Sequence, residues 1–157
     1  KVDSSNVNAF VLGEHGDACM VPWSLCTVSG LPVKEYLSSV MKISESAINR
    51  ELEELYTRTV KSGSKVIKAK GATFYAIAAS TTKLVKALLS DSSAILPLST
   101  MLNGEYGANN LCMGVPCVVI GGGLKKIVEL PITAEEKELL AEKVASLDST
   151  YEALAIR

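Results

Sequence analysis

Residues 94–130 read AILPLSTMLNGEYGANNLCMGVPCVVIGGGLKKIVEL, three apolar runs divided at Asn103-Gly104 and at Gly121-Gly122-Gly123. Aliphatic side chains crowd the runs, and Asn-Gly is a strong local hairpin signal because both residues tolerate positive φ. Strands are therefore predicted over residues 94–102, 111–120 and 124–130. Pro97 has no N–H to give a ladder, which makes the first of them an edge strand. The triple glycine invites comparison with a dinucleotide loop. That loop needs Gly-x-Gly-x-x-Gly opening a helix. Here Lys126 stands in the last glycine's place and a strand follows. The glycines are read as the turn of a second hairpin, and no nucleotide fingerprint remains.

The flanking sequence reads as helix. Thr133 and Glu136 have capping-box spacing. Leu140, Val144, Leu147, Tyr151 and Leu154 follow at intervals of four and three, a stripe that predicts a long helix lying on the sheet. Upstream, residues 73–89 predict a helix kept thin by Ala76, Ala78, Ala79, Ser80 and Ala87. Ile77, Leu84 and Leu88 form its apolar face, and it is expected to be buried on several sides. Residues 45–62 predict another, capped by Ser44 and interrupted at Gly63, with Ile48, Leu52, Leu55 and Thr59 facing inward. Residues 33–41 read as a short helix or irregular segment. Residues 7–12 and 20–28 read as strands, the second broken by Pro22, and Gly30 and Pro32 mark a turn. The class is α+β: mixed and antiparallel strands with long packed helices, in one domain over residues 1–157.

Composition narrows the partners. Hydrophobic residues make up 48% of the 157, more than an isolated domain of this size needs. Part of the surface is expected to be covered by another domain or a second subunit. A net charge of −1 favours neither nucleic acid nor an anionic membrane. No run reaches the roughly 18 apolar residues of a membrane span, and no signal peptide is expected. Cys19, Cys26, Cys112 and Cys117 have no zinc-site spacing, and one histidine cannot complete a metal site, so no metal is expected. All four are read as reduced and structural, as in a cytoplasmic protein.

Gly13-Glu14-His15-Gly16-Asp17 contains that one histidine. An imidazole, with a reference pKa of about 6.5, can both give and take a proton near neutrality. A lone histidine is by default a surface or satisfied core residue. The apolar run ending at Gly13, and a glycine on each side, favour a tight turn at a strand end. On residues alone His15 is a candidate general acid/base there. A Ser-His-Asp triad lacks the Gly-x-Ser-x-Gly elbow that would support it. By pattern alone Thr73 reads as a helix cap and Ile77 as a core residue.

Residues 9–17 (AFVLGEHGD) with residues 21–24 (VPWS) resemble the catalytic-histidine motif of the L-lactate dehydrogenases, in the lactate/malate dehydrogenase family. The resemblance continues in order at residues 66–77 (VIKAKGATFYAI), 97–107 (PLSTMLNGEYG) and 115–118 (VPCV). It implies the C-terminal, substrate-binding domain of such an enzyme, with the N-terminal NAD-binding Rossmann domain outside this chain. His15 is then the catalytic proton donor and acceptor between pyruvate and lactate. The resemblance places Thr73 in the substrate pocket and Ile77 against the nicotinamide of NAD, on one helix face at i, i+4. It puts an Asp that supports the histidine, and the arginines that hold and close over the substrate, outside the chain. It further implies a cytoplasmic homotetramer of glycolysis and fermentation, with the isolated piece inactive. Gly16, Asp17 and Glu14 are expected to shape the turn.

Two departures stand out. Many members activated by fructose 1,6-bisphosphate carry His where this chain has Asn8, so weak or absent activation is expected. Many members carry Tyr where this chain has Ser64. Malate dehydrogenases of the lactate-dehydrogenase-like group differ at the Thr73 and Ile77 positions, which favours lactate. Branched 2-hydroxyacid dehydrogenases, and a non-catalytic oligomerisation module, stay open as alternatives.

Overall fold

In the computed structural model, residues 2–16, 18–90 and 92–154 are described. The centre is a five-stranded antiparallel sheet. Its long hairpin pairs β6 (Ala94–Asn103) with β7 (Asn109–Ile120), from Ala94 opposite Val119 to Asn103 opposite Asn109. β7 then turns at Gly121-Gly122 into β8 (Gly123–Ile127). The triple glycine is thus a hairpin turn, as read from the sequence. β6 pairs with β7 alone, so Pro97 does sit on an edge strand. On its other side β7 meets β2 (Leu12–Gly13), which pairs with β3 (Cys19–Met20).

The remaining predicted strands are shorter than expected. Residues 7–12 divide into β1 (Val7–Asn8) and β2, and residues 20–28 divide around a 3₁₀ turn at Trp23–Leu25 that follows Pro22. β1, β4 (Thr27–Val28) and β5 (Leu31–Pro32) make a small second sheet. Its turn is Ser29-Gly30, both at positive φ, and Pro32 lies in the strand beyond it. α1 (Val33–Glu35) runs into a single wide π-type turn over Tyr36–Val40.

α5 (Ala134–Ala153) covers one face of the sheet. Thr133 Oγ1 accepts from the Glu136 N–H at 3.2 Å while Glu136 Oε2 accepts from the Thr133 N–H at 3.0 Å, so the capping box forms as read. Leu140 and Leu147 are buried against Leu12, Met20, Leu102, Leu111, Met113, Val115 and Cys117, with Val144 and Tyr151 alongside. Leu154 ends the stripe outside the helix, 63% exposed. Burying one such leucine contributes about 1.5–3 kcal/mol, so this layer is the main core.

The middle helices depart from expectation. α2 (Glu45–Val60) and α3 (Ser62–Lys70) are two helices that meet at Lys61; Gly63 lies inside the second rather than ending the first. Ser44 holds the N-cap position, but its hydroxyl faces Ser46 Oγ at 3.3 Å and makes no capping bond. Ile48 and Leu52 are buried as expected, whereas Leu55 and Thr59 are exposed and Tyr56 turns inward instead. Steps of four (48, 52, 56) wind the buried line around the helix by about 40° each, away from the single face that the four-and-three pattern predicts. α4 (Tyr75–Leu88) is not buried: it packs only near its C-terminal end, through Leu84, Ala87 and Leu88 against Leu96 and Val119. Its small side chains leave a thin, open flank.

Candidate active site

β2 and β3 form a hairpin whose tip carries His15. Leu12 pairs with Met20 and Gly13 with Cys19, and the Glu14 N–H donates to the Ala18 carbonyl at 3.1 Å. Gly13 has φ +104°, and a Cβ there would meet the Ala18 carbonyl oxygen at 2.5 Å. No other residue fits that combination of backbone angle and space. Gly13 also sits opposite Gly114 of β7, where an added Cβ would lie 3.1 Å from the Gly13 oxygen. Two facing glycines thus seat the hairpin tightly on the sheet, and the chain emerges from the turn at His15. At Gly16 an added Cβ would meet the Glu14 carboxyl group at 3.1 Å, so Glu14 folds over the turn, in line with a shaping role. Asp17 lies outside the described residues.

The imidazole is exposed and opens on a cleft of about 420 Å³. Val11, Glu14, Cys19 and Val21 line its near side, and Tyr56, Thr59, Val60, Ser62 and Gly63 its far side. The far wall is therefore the junction of α2 and α3. The Tyr56 hydroxyl donates to the Cys19 carbonyl at 2.9 Å and ties that wall to β3. Two slightly larger clefts, about 470 Å³ each, open beside Tyr106 and beside Lys34. Neither is lined by a histidine or a cysteine, so size does not select the site; the proton carrier does.

Thr73 lines an adjoining cleft of about 310 Å³ with Ser62, Gly63, Val66, Lys70, Phe74, Tyr75 and Ala76. The linings of the two clefts share Ser62 and Gly63, so His15 and Thr73 line neighbouring clefts that meet at the α2–α3 junction. The helix-cap reading of Thr73 fails: Phe74 is the N-cap residue, without a side-chain bond, and α4 begins at Tyr75. Thr73 therefore precedes the helix, and the i, i+4 argument that put it on one face with Ile77 does not hold. Ile77 is 59% exposed on α4, not a core residue, and it lines neither cleft. Lys70 bends over the same corner, its Nζ 4.2 Å from the centre of the Tyr75 ring, within cation–π range.

The lining of the His15 cleft contains one carboxylate, Glu14, and no arginine or lysine. Among the described residues no hydrogen bond or ion pair joins the imidazole to a carboxylate. Arg50 reaches toward Glu54 at 4.0 Å, on the outer face of α2. The His15 cleft thus offers an imidazole, hydroxyls and apolar walls, but no cation among its lining residues; Lys70 of the neighbouring cleft lies over the Tyr75 ring. Tyr56, Thr59, Ser62 and Gly63 were not singled out by the sequence reading as site residues. The four-residue spacing from Leu52 to Tyr56 was the one local signal for any of them.

Residues 1–155 match the family model for the lactate/malate dehydrogenase alpha/beta C-terminal domain. The L-lactate dehydrogenase of Oceanobacillus iheyensis is 35% identical over 147 residues, covering 94% of this chain and 44% of that protein. A lactate dehydrogenase from Eimeria maxima, solved with NADH and oxamate, superposes with a TM-score of 0.86 at 29% identity, over 99% of this chain and 47% of its own. The malate dehydrogenase from Aeropyrum pernix superposes with a TM-score of 0.83 at 34% identity, over 97% and 48%. The chain spans about half the length of the curated relatives it matches.

Proposed function

This chain belongs to the lactate/malate dehydrogenase family, as the alpha/beta C-terminal domain, and on that premise we propose that it is the substrate-side half of an NAD-dependent L-lactate dehydrogenase. The observation that carries the reading is the placement of the chain's only histidine on a glycine-locked hairpin, facing a cleft that adjoins the one lined by Thr73. In the direction of reduction, the His15 imidazolium hydrogen-bonds the ketone oxygen of pyruvate and polarises the carbonyl. It then passes its proton to that oxygen as the carbon becomes an alcohol carbon. In the direction of oxidation, the neutral imidazole takes the hydroxyl proton of lactate. Thr73 contacts the substrate beside the reacting carbon.

Nicotinamide, when bound, supplies or accepts the hydride. What this chain offers it is apolar surface: Phe74, in the lining of the Thr73 cleft, and Ile77, on the exposed surface of α4 three residues further on. The triple glycine is a hairpin turn, so the phosphates need a cradle outside the described residues. The same holds for the cation that binds the substrate carboxylate and for a carboxylate behind His15. We assign these to a separate N-terminal domain, which makes the 157-residue chain inactive alone. What supports this division is that the chain covers 44% of the Oceanobacillus iheyensis enzyme and 47% of the Eimeria maxima enzyme. The exposed apolar flank of α4 supports burial against that domain or a neighbouring subunit of a tetramer. Among the described residues no helix is long and apolar enough to cross a membrane; a cytoplasmic location is part of the proposal.

Thr73 and Ile77 favour pyruvate over oxaloacetate. The reading is tested by steady-state kinetics of the full-length enzyme on pyruvate, oxaloacetate and 2-oxoisocaproate. The highest kcat/KM is expected for pyruvate. A higher value for oxaloacetate would make the enzyme a malate dehydrogenase, and one for 2-oxoisocaproate a branched 2-hydroxyacid dehydrogenase.

A further inference from the structure

The helical wall opposite His15 has few anchors. α2 buries Ile48 and Leu52, both in its first half, and α3 buries no side chain. Beyond Leu52 the arm reaches the sheet through half-buried Tyr56. The Tyr56 hydroxyl donates to the Cys19 carbonyl at 2.9 Å, with Cys19 Sγ 3.8 Å away. Cys19 occupies a sensitive position. It is the register partner of Gly13, and its Cα would lie 3.1 Å from a Cβ on Gly13. Gly13 in turn packs against Gly114. The hairpin bearing His15 is therefore gripped from both sides, by β7 through two glycines and by α2 through one phenol.

We propose that Tyr56 is a positioning residue for His15: its hydroxyl sets the spacing between the hairpin and the α2–α3 wall, and with it the place of the imidazole across the cleft. The link to turnover rests on His15 being the proton donor; the link to geometry does not. A misplaced proton donor slows the chemical step while leaving most ground-state binding intact. Tyr56→Phe in the full-length enzyme is thus expected to lower kcat about tenfold with KM changed less than about twofold. Leu55→Ala, on the neighbouring exposed position of the same helix, is expected to leave both unchanged.

In the full-length enzyme the ring-proton NMR signals of His15 are identified by their loss in His15→Gln. Tyr56→Phe is expected to shift them, while the methyl signals of Leu140 and Leu147 under α5 stay in place. A purely structural bond would move core and imidazole signals together or neither. In the unaltered enzyme, Overhauser contacts between the Tyr56 ring and Cys19 are expected, and their absence overturns the clamp even if the variant fails to fold. Unchanged imidazole signals in a folded Tyr56→Phe enzyme overturn it as well. If the signals shift but kcat does not, the proposal that Tyr56 serves the reaction fails, and with it the proton-donor reading of His15 comes into question.

Discussion

Single residues decide how His15 is presented. Gly13 combines a backbone angle that side chains avoid with a space that closes at 2.5 Å. Gly13→Ala is expected to cost at least about 1–3 kcal/mol from the backbone conformation alone, read as a lower urea midpoint. Gly122 makes the contrast, because nothing lies within 4 Å of a Cβ there and its backbone carries no positive φ. Gly122→Ala is expected to stay within about 0.5 kcal/mol; equal losses at the two glycines would refute the account of the hairpin. The sequence signalled that the glycines around His15 mattered, since a glycine on each side of a polar residue at a strand end has few other uses. It could not signal Gly114 or Cys19 as their partners. Those contacts depend on register between segments about a hundred residues apart in one case and across a turn in the other.

At the scale of elements, α5 was the most legible because its information is local: a cap, an apolar stripe and an end. Thr133→Ala is expected to cost about 1 kcal/mol, the usual value of an N-cap side chain, in chemical denaturation. Glu136 does more than close the box. Its carboxylate also accepts from the Ser24 N–H at 2.9 Å and from Ser24 Oγ at 2.6 Å, binding α5 to the turn after β3. Burial raises its pKa, but the bonds from Ser24 and Thr133, with Lys34 nearby, outweigh that and hold it below the ordinary carboxylate value. A depressed folded-state pKa stabilises above the unfolded value of about 4.3 and is lost as pH falls through the lower folded value. Glu136→Gln is therefore expected to lower stability at pH 7 and to flatten the acid limb below about pH 4. Urea unfolding at pH 7 and pH 3 checks this; parallel pH curves for the two proteins would contradict it. α4 was misread for the opposite reason. Alanines and isoleucine at helical spacing say that a surface is covered, not that this chain covers it.

The whole molecule presents an open apolar flank. Tyr75 is 79% exposed and Leu89 83%, and Phe74 and Ile77 are exposed as well. Patches of this kind on a folded domain mark a contact surface. The 157-residue chain alone is expected to sediment above its 16.6 kDa mass and to turn over no pyruvate with NADH. A clean monomer at every concentration tested, or turnover by the chain alone, would contradict the division of labour between two halves. The most direct measurement replaces one residue in the full-length enzyme. His15→Gln keeps a hydrogen-bonding side chain but removes the proton, and pyruvate reduction is expected to lose about 10²–10⁴-fold in kcat, with the fold intact by circular dichroism. A kcat within threefold of the unaltered enzyme would show that the proton comes from elsewhere.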